Sequence, residues 1–190
     1  KPTRYYKALE ITADKHFSNH WQLGGSYVLS RMEGNYEGLF SPMNQQVDAF
    51  ITSTYDLPNL LYNGSGLLAN DRTHVLKIYG LYDFDFGLQL SGLFRFQSGI
   101  PKNAMGSDPV YGPNEAFLVP RGSAGRLPST WTLDLGAQYT LKFFKQNFVI
   151  RADIFNVTNN QVTTMTDMLQ NNTDNNPGYR DNPGFGKEIQ

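Results

Sequence analysis

The chain has 190 residues, of which 39% are hydrophobic, 17% charged and 14% aromatic, with a formal net charge of -1. That length suits one domain, and the charge leaves no basic footprint for nucleic acid. Cysteine is absent and no run of about 18 apolar residues occurs, which excludes a disulfide framework, thiolate chemistry and a membrane-spanning helix.

The first patterned segment runs from Tyr5 to Phe17, with Tyr5, Leu9, Ile11, Ala13 and Phe17 on one face and Tyr6, Glu10, Thr12, Asp14 and His16 on the other. A tight turn at Ser18-Asn19-His20 leads into Trp21, Leu23, Gly25, Tyr27 and Leu29, alternating with Gln22, Gly24, Ser26 and Ser30. These two segments predict a hairpin. Lys7 interrupts the apolar face far from the short turn, where its long stem can snorkel to an interface.

Residues 32 to 73 lack a period and carry Gly34, Gly38, Pro42, Pro58, Gly64 and Gly66, which predicts a long loop. A second hairpin follows. Leu76, Ile78, Gly80, Tyr82 and Phe84 share one face, the chain turns near Asp85-Phe86-Gly87, and Leu88, Leu90, Gly92, Phe94 and Phe96 alternate with Gln89, Ser91, Arg95 and Gln97. Residues 99 to 128, rich in Gly and Pro, predict irregular structure. In the third hairpin Trp131, Leu133, Leu135, Ala137, Tyr139 and Leu141 alternate with polar neighbours, a turn falls between Lys142 and Asn147, and Phe148, Ile150, Ala152 and Ile154 alternate with Val149, Arg151 and Asp153. Residues 158 to 190 are an Asn-, Asp-, Gly- and Pro-rich loop.

Strands of about 11 to 13 residues joined alternately by short turns and long loops are how an outer-membrane barrel reads in sequence. Aromatic residues gather at the short turns (Phe17, Trp21, Phe84, Phe86, Phe143, Phe144 and Phe148) and at the opposite strand ends (Tyr5 and Trp131), as two interfacial girdles require. A mean hydropathy of -0.45 is compatible with this, because the inner face and the loops of a barrel are polar. The expected fold is therefore all-β: an antiparallel transmembrane β-barrel fragment of about six long strands, with short periplasmic turns and long extracellular loops, in a bacterial outer membrane. Six strands are too few to close, since small barrels begin at about eight.

Particular residues carry a family resemblance. Asn70-Asp71-Arg72-Thr73-His74-Val75-Leu76-Lys77, followed by Tyr82, by Gly87 to Gly92 and by Phe94-Arg95-Phe96-Gln97-Ser98-Gly99-Ile100-Pro101, resembles a block near the carboxyl end of TonB-dependent outer-membrane receptors. Pro120-Arg121-Gly122 with Gly125-Arg126-Leu127-Pro128, and Asp153-Ile154-Phe155-Asn156-Val157-Thr158-Asn159, are similar to two further blocks of the Oar-like subgroup, whose members carry an amino-terminal carboxypeptidase-regulatory-like domain. The resemblance implies that residues 1-190 are a carboxyl-proximal portion of a roughly 22-stranded barrel. It also implies that the plug domain, the TonB box and the last strand lie outside the chain. The expected role is to form wall and extracellular loops for energy-coupled ligand uptake. The expected partners are the rest of the barrel, the plug, TonB through the amino-terminal region, outer-membrane lipid or lipopolysaccharide, and a ligand of unknown class.

No enzymatic constellation is evident. His16, His20 and His74 lack metal-ligand spacing, and Ser123 lies outside the strand-to-helix context of a nucleophile elbow, so catalytic residues, metals and cofactors are not expected. Asp167, Asn171, Asn172, Asp174, Asn175, Asn176 and Asp181 offer oxygens but no calcium-loop spacing, and read as a solvated loop. Arg121 and Arg126, in a Gly-rich turn, are candidates for an anionic ligand or lipopolysaccharide, together with Asp71 and Arg72; a plain surface turn is the competing reading. Arg95, Asp134, Arg151 and Asp153 are expected to pair as charges inside the barrel. Two other classes compete with the receptor: a soluble β-sandwich that binds glycans through its aromatic residues, and a passive porin or adhesin barrel.

Overall fold

The computed structural model describes residues 1–40, 48–49, 52–168, 171–172, 180–181, 183 and 185–188. Pro42 and the Asp174, Asn175 and Asn176 oxygens of the last loop lie outside the described residues. Among the described residues eleven strands occur in chain order: β1 (Arg4–Ser18), β2 (Trp21–Gly34), β3 (Gly66–Leu67), β4 (His74–Asp83), β5 (Leu88–Gln97), β6 (Met105–Asp108), β7 (Gly112–Phe117), β8 (Thr130–Phe143), β9 (Gln146–Ile154), β10 (Asn171–Asn172) and β11 (Arg180–Asp181), with one 3₁₀ turn at Pro58–Leu61.

Seven of them make one antiparallel sheet, six in the order β1-β2-β4-β5-β8-β9, each long strand lying beside the next long strand along the chain, with β3 paired to β2 off this path. β1, β2 and β8 have 15, 14 and 14 residues, well beyond the usual five or six of a soluble strand. The sheet is open rather than closed on itself.

Register shows why the alternation in sequence matters. Ile11, Tyr27, Leu76, Phe96 and Trp131 pair in one row across five strands, and Thr12, Ser26, Lys77, Arg95 and Thr132 pair in the next. Further along, Trp21, Tyr82, Leu90, Ala137 and Ala152 form another row. A slip of one residue between any two strands would scatter these rows over both faces. One face is therefore apolar through its middle, and it is not covered: Leu9, Ile11, Leu90, Leu135 and Ile150 are all exposed, Ile150 at 62%. A β-sandwich would bury such side chains against a second sheet. Among the described residues the two small additional sheets, β6-β7 and β10-β11, pair only within themselves.

The short turns follow from local chemistry. Asn19 and His20, with φ of 51° and 70°, make the two-residue hairpin turn whose twist matches the flanking strands. At the second turn Gly87 has φ 92°, and an added Cβ would lie 2.8 Å from the Thr140 carbonyl oxygen, so this position requires glycine twice over. Lys15 secures the first turn from the apolar side: its Nζ donates to Ser18 Oγ at 2.8 Å and to the carbonyls of Ser18 and Trp21 at 2.9 and 3.0 Å, and stands 4.0 Å from the Trp21 ring centre.

The loops depart from expectation. Residues 99 to 128 are not wholly irregular, because β6 and β7 form a hairpin whose Asp108 Oδ1 accepts the amides of Val110 and Tyr111. The 32 to 73 stretch is also more ordered: β2 continues to Gly34, and β3 pairs with its end. Fully or nearly fully buried apolar residues cluster here and not in the sheet: Leu60, Leu68, Ala69, Met105, Phe117 and Leu127. The protein keeps its core at the loop end and an exposed apolar face along the strands.

Candidate functional site

At the loop end the first two sequence blocks meet. Asp71, 1% exposed, pairs with Arg126 and accepts the Met32 amide at 2.6 Å, while Arg126 Nη1 also donates to the Gly99 carbonyl at 3.0 Å. Arg72 donates to the Ser98 carbonyl at 2.6 Å, and Ser98 Oγ accepts the His74 amide at 3.0 Å. One carboxylate and two guanidinium groups thus fasten the ends of β2, β4 and β5 to the segment entering β8. Arg72 is held below the ordinary arginine range, first by burial and then by neighbouring Arg126.

A second knot lies beside the first. Arg121 Nη1 bonds Glu37 Oε1 at 2.9 Å, with the two side chains only 2% and 7% exposed, and its guanidinium carbon stands 4.4 Å from the centre of the Phe117 ring. Glu37 Oε2 accepts the Ala69 amide at 3.2 Å, and the Arg121 backbone joins Leu67 and Asn63. Burial pushes the Glu37 carboxyl up against the opposing pull of Arg121, and burial lowers Arg121. Arg121 Nε has no partner among the described residues.

The sequence left two readings of Arg121 and Arg126, an anionic-ligand site and a plain surface turn; in the structure both guanidinium groups meet internal carboxylates. Arg121 is 3% exposed, and Arg121 and Arg126 are both committed to internal carboxylates. Asp71 is equally committed. What these residues do chemically is hold loops from distant parts of the chain in one arrangement.

On the polar face Arg95 pairs with Asp134 across β5 and β8, and the other Asp134 oxygen accepts the Asn156 amide at 2.8 Å. Arg151 and Asp153 form a bidentate pair on β9, at 2.8 and 3.0 Å, separate from the first. Asn156 and Asn159 have φ of 48° and 47°, a left-handed conformation that asparagine tolerates. The chain thus leaves β9 in a bend held by Asp134, which gives the Asp153 to Asn159 block a physical reason. Farther down, Tyr79 donates to Asp14 at 2.7 Å across β2, over Gly24, where any side chain would collide with the Tyr79 ring.

Sequence reading missed Glu37, Lys15 and the Tyr79–Asp14 bridge. Lys15 carried a signal, as a cation on an apolar face next to a turn. Glu37 carried none, because its partner is 84 residues away. Among the described residues no three His, Asp or Glu side chains converge as a metal would need.

No family model matches the chain, and no solved structure is similar to it. TonB-dependent transporter Oar of Myxococcus xanthus is similar: 36% identical over 171 residues, which is 87% of this chain. The chain is related to a TonB-dependent transporter. It spans only 16% of that protein's length.

Proposed function

We propose that this chain is a wall section of an outer-membrane TonB-dependent receptor of the Oar-like subgroup, from the carboxyl-proximal part of its barrel. The apolar face meets lipid, the polar face lines the lumen, the short turns lie on the periplasmic side and the knotted loops stand outside, where they help to capture a ligand. The plug and the TonB contact belong to other parts of the protein, and the chain has a transport role, not a catalytic one. Arg95 with Asp134, and Arg151 with Asp153, neutralise charge along the lumen. One observation carries this reading: apolar and polar side chains stay in separate rows across the sheet while the apolar rows remain exposed.

The absence of cysteine makes the test direct. In the full-length protein reconstituted in lipid, single cysteines at Leu90, Leu133 and Ile150 should be quenched by nitroxide lipids and shielded from a charged maleimide. Cysteines at Gln89, Thr132 and Arg151 should show the reverse. Equal labelling of both sets, or a full-length protein that stays monodisperse without detergent, would overturn the assignment.

A further inference from the structure

On the polar face, at its loop end, two neighbouring rows enclose a recess of about 410 Å³, a volume that suits a small ligand. One row is Val75, Gln97 and Thr130, the other Lys77, Arg95 and Thr132. The row between, Leu76, Phe96 and Trp131, sends its side chains to the apolar face. Gln97 ends β5 and Thr130 begins β8, so the recess lies directly beneath the knotted loops.

Its charge is one-sided. Lys77 and Arg95 stand directly opposite one another, an unfavourable placement for like charges on one face of an antiparallel pair. The carboxylates of the next row down, Asp14 and Asp134, hold Tyr79 and Arg95. Glu10 shares the upper row but stands two strands from Val75, on β1. Lys77 is therefore left without a hydrogen bond or ion pair among the described residues, and no described carboxylate lines the recess. The Thr130 and Thr132 hydroxyls and the Gln97 amide add hydrogen-bonding groups beside it.

We propose that Lys77, with Thr130, Thr132 and Gln97, binds the carboxylate of a ligand that arrives through the loops. One uncommitted cation matches a group with one negative charge, and the hydroxyl and amide donors satisfy its remaining lone pairs. A doubly charged phosphate would keep one charge unanswered in the recess. Position favours a ligand as the occupant, because whatever passes the knotted loops meets this part of the wall first. The inference rests on the wall assignment made above and adds the chemistry of what the wall holds.

The test uses the full-length protein in detergent, para-trifluoromethylbenzoate as probe and the matching benzamide as neutral control, read by fluorine NMR line broadening. The benzoate should broaden and the benzamide stay sharp. Lys77→Gln should weaken benzoate binding about tenfold and Thr132→Val about fivefold, while Lys77→Arg should keep most of it. Because losing Lys77 relieves its repulsion with Arg95, the urea midpoint of Lys77→Gln should equal or exceed the parent's. A lower midpoint would mean that a carboxylate of the protein itself fills the recess, and would overturn the ligand site. Equal broadening of benzoate and benzamide, or benzoate binding unchanged in Lys77→Gln, would overturn it as well. If cysteines at Thr132 and Leu133 still separate in the labelling test above, the wall assignment stands and only the carboxylate site has failed.

Discussion

Glu37 and Arg121 form the most deeply buried ion pair among the described residues. Two charges removed from water hold one another, and neither has a solvent route to an alternative partner. Replacing Arg121 with Met should therefore cost the loop assembly about 3 to 5 kcal/mol, because Glu37 is left buried without its counter-charge. Hydrogen exchange at the Leu67 and Ala69 amides would read this, and the double variant Glu37→Gln/Arg121→Met should recover much of the protection. A pH dependence follows from the same pair. Burial sets the folded Glu37 carboxyl above its ordinary range, so its protonation favours the folded loops. That contribution is fully present below the unfolded value and is lost as pH rises through the folded one. Exchange protection at Ala69 should decline over that interval in the parent and stay level in Glu37→Gln; the same decline in both proteins would assign it to another group.

Among the elements, the hairpin turns have the narrowest chemistry. Gly87→Ala must adopt a positive φ and push its Cβ against the Thr140 carbonyl, which should cost about 1 to 3 kcal/mol in the urea midpoint of the refolded full-length protein. An unchanged midpoint would mean that the turn adjusts without strain. The first two short turns were legible in the sequence because a few residues that tolerate a positive φ, Asn19 and Gly87 among them, decide each of them. The β6-β7 hairpin was not. Its strands have only four and six residues, too few for a period to emerge, and what fixes them is packing of Met105 and Phe117 against Met168 from the far end of the chain.

At the scale of the whole molecule the distribution of apolar surface is inverted relative to a water-soluble domain: buried side chains gather among the loops, and the broad sheet presents its hydrophobic rows outward. Sided substitutions should expose this. Ile11→Arg, in the middle of β1 on the apolar face, should destabilise the folded full-length protein in lipid by about 2 to 4 kcal/mol. Thr12→Arg, one residue on and on the polar face, should be nearly neutral. Equal costs at the two positions would contradict a lipid-facing surface.

The sequence by itself determined the strands, their sidedness and the short turns, because a period of two is set by each residue's own backbone and needs no distant partner. Only the tertiary structure decided what the loop residues do. Asp71, Arg72, Arg121 and Arg126 look alike in the sequence, as charged residues among glycines and prolines. Whether such a group is free for a ligand or consumed in a buried pair depends on which segment folds against it, and no local pattern encodes a contact between residues as far apart as Glu37 and Arg121.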